Sequence, residues 1–148
     1  MKNSACSRDL LIARNLLEEK SANLVVVRDG NALFIGYGKG LSDLAKIVLN
    51  SPSILENSSI ADRVVGKAAA VIFAVNGVKA VYSPLMSIRG YEVLIRHGVK
   101  TSYQILIDYV KSPEGGICPF EQLILDIDEL HEAYGVLIRR FREMFGGL

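Results

Sequence analysis

Charge of one sign is what this sequence has least of: Lys+Arg number 17 against Asp+Glu 16 in 148 residues, a formal net charge of +1. There is no basic field to hold a phosphate backbone or an anionic lipid surface, so nucleic acid is not expected as a partner. Long apolar runs are also missing. The longest, Ala68 to Val75, falls well short of the ~20 residues that cross a bilayer, so no membrane association is expected. The opening MKNSACSRDLL has one Lys and then polar residues where a secretory leader is apolar, and the cytoplasm is the expected location. Only two cysteines occur, Cys6 and Cys118, far apart and with no C-x-x-C. That removes a disulfide framework and a Cys-rich zinc site, and reduced thiols are expected. What the chain does have is apolar content: 50% hydrophobic residues and a mean hydropathy of +0.28. Such a chain is not disordered, and it is read as a single domain over residues 1–148.

No repeat or long linker divides it. Leu10, Ile12, Ala13, Leu16 and Leu17 recur at helical spacing between Asp9 and Lys20, which predicts a first helix. Leu24 to Arg28, turn chemistry at Asp29, Gly30 and Asn31, and a second apolar run from Ala32 to Tyr37 predict a β-hairpin. Ser42, Leu44, Ala45, Val48 and Leu49 mark a short helix ending near Asn50. Ser59 and Asp62 have capping-box spacing, so a helix is expected from there to about Val75. With almost no polar face after its first turn, it should be the central helix. A strand at Val78 to Ser83, a helix from Pro84 to His97-Gly98, a strand at Tyr103 to Val110 and a last helix from Cys118-Pro119 complete the order. Elements alternating in this way after a hairpin predict a three-layer α/β/α domain with a mixed sheet.

The Ser83-Pro84 strand end before a helix closing on His97-Gly98-Val99 is similar to the second half of the cytidine-deaminase-like fold, and the hairpin with a buried helix to its first half. The segments Asp62-Arg63-Val64-Val65-Gly66-Lys67-Ala68-Ala69-Ala70 and Cys118-Pro119-Phe120-Glu121 resemble a small bacterial family of unknown function placed in that fold class. The resemblance spans roughly Asp9 to Phe141. Active deaminases carry H-x-E and P-C-x-x-C, three zinc ligands and a proton-shuttling Glu. Here Leu85 and Ile88 stand at the thiolate positions after Pro84, and Asp62 and Arg63 where the His and Glu are expected. An aliphatic side chain has no lone pair for a metal. No metal site, no cofactor and no zinc-dependent deamination are therefore expected.

Three groupings carry candidate chemistry. Asp62, Arg63, Gly66 and Lys67 lie at i, i+4 spacings of the expected helix, two cations near a positive helix end, which suits an anion. A glycine inside a helix costs ~1 kcal/mol against Ala, and close approach of a ligand would explain Gly66. Read plainly, Asp62 caps the turn and Gly66 permits tight packing. Cys118 at an N-cap and Glu121 at N3 form the second grouping, where the helix end favours a thiolate; the plain reading is a small cap residue. Gly36-Tyr37-Gly38-Lys39-Gly40 is the third, matching no phosphate-binding pattern and read as a flexible connection. His97 and His131 stand alone and are read as structural.

The expected function is that of a zinc-independent deaminase-fold protein holding a small anionic or nucleotide-like ligand through Arg63, Gly66, Lys67 and Glu121. Cys118 and Asp62 are the candidate catalytic pair. Asp62, Arg63, Lys67, Cys118 and Glu121 should converge, and Lys67→Ala should cost little stability. The alternative is a non-catalytic, homo-oligomeric interaction protein on the same scaffold. For the last helix, Phe120, Leu123, Ile127, Leu130, Tyr134, Leu137, Phe141 and Met144 alternate at three and four, an apolar seam that predicts either a homodimer beyond Gly135 or a break at Gly135 with both halves folding back.

Overall fold

The first helix, α1 (Ser4–Glu19), is followed by the hairpin of β1 (Leu24–Arg28) and β2 (Asn31–Gly36). The structure, a computed structural model, describes residues 4–146, with side chains from Ser7 onward; the side chain of Cys6 lies outside it. The hairpin turn places Asp29 and Gly30 at φ 52° and 81°, the backbone twist that tight hairpins favour. Asp9 of α1 fixes that turn, its carboxylate accepting from the N–H groups of Asp29 at 3.0 Å and Gly30 at 2.9 Å. After α2 (Ser42–Asn50) come β3 (Ser59–Asp62), β4 (Val64–Val65), α3 (Lys67–Val75), β5 (Ala80–Ser87), α4 (Ile88–Arg96), β6 (Lys100–Ile107), α5 (Pro119–Leu123) and α6 (Leu130–Phe145).

The six strands form one mixed sheet. β1 is antiparallel to β2 and β3, whereas β3, β4 and β6 all run parallel to β5. Alternation along the strands divides the apolar residues between two faces. Val25, Val27, Ala61 and Tyr82 pack under α1, and Val26, Ile60 and Val81 pack with the helices of the other face. The three-layer expectation is met, unevenly, since one face carries α1 and the other α2, α3 and α4, with α6 packed on α2 and α3. Helix α3 is the central helix: residues Lys67 to Phe73 are all buried.

The expected helix from Ser59 to Val75 is corrected by the structure. Its first part pairs in the sheet as β3 and β4, and only Lys67–Val75 is helical. Ile60, Val64 and Val65 are β-branched, and β3 is flanked by β1 and β5, a pairing that outweighs capping-box spacing. Pro84 likewise does not open a helix. It lies within β5, and α4 starts at Ile88 under a Ser87 cap whose Oγ accepts from Gly90 N–H at 3.0 Å. Pro84 falls between Tyr82, the last β5 residue paired with β3, and Leu85, the first paired with β4. By the alternation of a parallel ladder its missing N–H faces that gap, where no donor is needed.

The last segment is two helices, not one. Glu129 starts α6 afresh, its carboxylate accepting from the N–H groups of His131 and Glu132 at 2.9 Å each, which holds its pKa below the usual carboxylate value. Gly135 sits inside α6 and does not break it. The apolar seam is largely covered within the chain, Leu137 and Phe141 being fully buried and Phe141 meeting Phe120 edge-on at 5.4 Å. Among the described residues no helix is long and apolar enough to cross a membrane.

Candidate functional site at the start of the buried helix

An α-helix begins with main-chain N–H groups that have no partner inside the helix. At α3 those donors are met from far along the chain. Glu121 of α5 accepts from Lys67 N–H at 2.7 Å through Oε1 and from Ala68 N–H at 2.6 Å through Oε2, across sequence separations of 54 and 53 residues. The carboxylate is buried, and loss of water raises its pKa while these N–H groups and the Lys67 charge oppose the rise. Lys67 turns the other way. Its Nζ donates to the carbonyls of Ile124, Leu125 and Ile127 at 2.9, 3.2 and 2.9 Å, using all three ammonium hydrogens. Burial lowers its pKa, with Asp128 the leading opposing charge. One residue thus holds the turn between α5 and α6 while its own N–H is held by α5.

Gly66 supplies the room. A Cβ there would lie 2.5 Å from Glu121 Oε1 and 2.7 Å from Val110 Cγ2, and a Cβ on Gly90 of α4 would lie 2.8 Å from the Gly66 carbonyl oxygen. The starts of α3 and α4 therefore abut, with glycine on each side of the contact. Gly66 is the N-cap of α3 in extended conformation, so its value is space rather than helix dynamics.

Of the five residues expected to converge, Lys67 and Glu121 meet, with Gly66 against the same carboxylate; the others do not all join them. Arg63 points to α1, its Nη2 donating to the carbonyls of Leu17 at 2.9 Å and Ala22 at 2.7 Å, and its Nη1 pairing with Glu18 at 3.3 Å. It closes the C-terminal end of α1. Cys118 is the half-buried N-cap of α5, its side chain making no cap hydrogen bond. Asp62 ends β3 opposite Leu24, which on its other side pairs with Gly36. Burial pushes its carboxyl up to about 8, main-chain contacts with Val64 and Arg63 oppose the shift, and the nearby Asp43 charge adds to it.

Asp43 and Ser87 were not singled out from sequence. Asp43 accepts from Gly38 N–H at 2.8 Å, and a Cβ on Gly38 would lie 2.6 Å from Asp43 Oδ1. The glycine stretch is therefore wrapped around a carboxylate rather than serving as a flexible connection. The signal was Asp43 in the first turn of a helix directly after three alternating glycines. Ser87 was hidden by Pro84, the more familiar helix opener.

The zinc set of the deaminases does not fit this place. The side chains at the two abutting helix starts are those of Lys67, Ala68, Ser87, Ile88 and Arg89, with Gly66 and Gly90 at the contact, and none offers an imidazole or a thiolate. Among the described residues no group of three or more His, Cys, Asp and Glu could hold a metal ion. Two surface clefts, of about 500 and 450 Å³, lie elsewhere, one against Lys46, Leu49, Arg142 and Phe145, the other against Asp9, Arg28 and Lys79.

A family model described as TM1506, a domain of unknown function (DUF1893), matches residues 12–141, and the chain belongs to that family. The crystal structure of a DUF1893 family protein (TM1506) from Thermotoga maritima is similar at 25% identity, covering 90% of each chain with a TM-score of 0.82. Two crystal structures of dCMP deaminase from the cyanophage S-TIM5 are more distant. The apo form has 21% identity, 70% of this chain, 99% of the other and a TM-score of 0.47; the form with dCMP and dUMP has 22%, 70%, 98% and 0.45. No curated protein matches.

Proposed function

We propose that this member of the DUF1893 family is a non-catalytic, homo-oligomeric interaction protein on a deaminase-like scaffold. The observation that carries the reading is the state of the α3 start. Its N–H donors hold the Glu121 carboxylate, and Lys67, a cation beside them, is committed to three carbonyls, while the exposed Arg89 at the start of α4 acts on both Lys67 and Glu121 through its charge. A helix N-terminus recruits an anion because its donors lack partners; here the anion is part of the chain. A small anionic or nucleotide-like ligand would have to expel Glu121, leaving a buried carboxylate without its hydrogen bonds. Arg63, which would have added a second cation, is on the α1 side. Cys118 has neither of the chain's histidines near it in sequence, and Lys67 as a proton carrier would first have to break its carbonyl bonds, which leaves Asp62 as the other candidate base for a thiol mechanism.

Thermal-shift and calorimetric titration with a panel of purine and pyrimidine nucleotides and with inorganic phosphate tests this. A ligand that binds the native state raises the melting temperature by mass action. The expected result is no saturable shift at millimolar concentration. Saturable micromolar binding would overturn the reading in favour of a ligand-binding protein.

A further inference from the structure

β6 is one of the two edges of the sheet, and its backbone pattern shows which of its groups are left to find a partner. In a parallel ladder, alternate residues turn both main-chain groups toward the same neighbour. Lys100 N–H donates to the Lys79 carbonyl at 2.9 Å, and Lys100 is the register partner of Ala80. Lys100, Ser102, Gln104 and Leu106 therefore bond β5, and Thr101, Tyr103, Ile105 and Ile107 turn their N–H and C=O groups outward. Edge strands are normally blunted by a bulge, a proline or a short length. The hairpin edge is blunted by the irregularity in the β1–β2 register between Val26 and Val27. β6 has eight residues without proline, and its register to β5 runs from Lys100 to Ile107 without a shift.

The apolar surface follows the same edge. Of the nine large hydrophobic side chains exposed among the described residues, five, Ile88, Ile95, Tyr103, Ile105 and Tyr109, lie on α4, on β6 or just after it. Tyr103 meets Tyr91 of α4 edge-on at 5.5 Å, which places its side chain on the α4 side. Ile105 is 58% exposed.

We propose that β6 pairs antiparallel with β6 of a second copy of this chain, about a two-fold axis at Gln104, so that two sheets become one. Antiparallel pairing works only when outward-facing residues meet outward-facing residues, which restricts the register to steps of one full hydrogen-bonded pair. The register centred on Gln104 sets Tyr103 against Ile105 and Thr101 against Ile107 of the second copy, on both sides of the axis. It also brings Lys100 toward Asp108 of the second copy at both ends, Asp108 being the first residue after the strand, and both residues are exposed. Centring on Tyr103 instead would put Lys100 against Leu106 and lose both ion pairs. The charge pattern is thus complementary to itself when reversed, which singles out a second copy over an unrelated strand. Lys100 Nζ, which bonds Ser7 Oγ at 3.0 Å, sits at the margin of this surface. The pairing rests on the oligomeric reading proposed above and names the surface that carries it.

Gln104 faces its own copy as a non-hydrogen-bonded pair, for which Cα atoms lie about 4.5 Å apart, within disulfide range. With Cys6 and Cys118 replaced by Ser, Gln104→Cys should give a covalent dimer under mild oxidation, and Ser102→Cys, opposite Leu106, should not. Sedimentation equilibrium of the unaltered chain should show a dimer at micromolar concentration. Lys100→Glu or Asp108→Lys alone should weaken it about tenfold, and the two together should restore it. A monomer throughout would overturn the pairing. So would a dimer that Ser102→Cys links as readily as Gln104→Cys, or one indifferent to both charge reversals. A Gln104-linked dimer that also binds nucleotide tightly would leave the pairing standing and sink the non-catalytic reading instead.

Discussion

The start of α3 and the β6 edge are alike in one respect: each presents main-chain groups that its own element cannot satisfy. They are resolved in opposite ways. At α3 a side chain from 54 residues away takes the first donors of the helix, the N–H groups of Lys67 and Ala68. At β6 four outward residues keep their hydrogen-bonding capacity beside exposed Tyr103 and Ile105. One set of unpartnered main-chain groups is thus closed from within the chain, and the other stays at the sheet edge.

The largest expected effect breaks the closed half of that contrast. Glu121→Ala leaves the buried N–H groups of Lys67 and Ala68 without acceptors and should destabilise the protein by about 3 kcal/mol, read by urea denaturation. Glu121→Gln, with one acceptor oxygen, should lose about half as much. A loss of under about 1 kcal/mol would mean that the α3 start is not sealed by this carboxylate. Lys67→Ala belongs with these variants: it removes three hydrogen bonds and should cost more stability than the mild effect expected from the sequence.

The second prediction concerns pH and sharpens the boundary of the closed region. Asp62 has its folded pKa raised from 3.8 to about 8, so the folded state holds a proton that the unfolded state has released. Stability from this group is complete below about pH 3.8 and declines as pH rises toward 8, with a slope of at most about 1.4 kcal/mol per pH unit. Asp62→Asn should flatten that slope and be the more stable protein at pH 8. A wild-type and variant pair with parallel pH profiles of urea midpoint would contradict it.

The smallest effect lies outside both regions. A Cβ on Gly135 meets nothing within 4 Å, so Gly135→Ala should stabilise α6 by about 0.5–1 kcal/mol. It should leave the oligomeric state unchanged. A change in sedimentation would point back to α6 as the interface.

Much of this fold was legible because local pattern and tertiary pairing agreed. The hairpin at Leu24–Arg28, the helix at Ser42–Asn50 and the burial of Ala68 to Phe73 follow from alternation, turn residues and composition. The boundaries that failed, at Ser59 and Pro84, are places where a local signal competed with sheet pairing and lost. Ser59 to Asp62 has helix-opening spacing, but it lies between β1 and β5. At the candidate site the sequence indicated Gly66, Lys67 and Glu121, and the resemblance implied that Lys67 and Glu121 converge but not that the carboxylate caps the helix. Spacing along a chain says nothing about a carboxylate reaching across 54 residues, nor about Arg63 reaching the far end of α1.

Because the acceptor that completes α3 arrives so late in the chain, the central helix cannot be finished when its own residues emerge from the ribosome. A nascent chain ending at β6 already contains every strand of the described residues, yet the first donors of its most buried helix still await α5. The C-terminal segment is then the closing step of assembly rather than an appendage. In the mature protein the amides of Lys67 and Ala68 should exchange with solvent in the same opening event that releases Pro119 to Ile127, two stretches distant in sequence behaving as one cooperative unit.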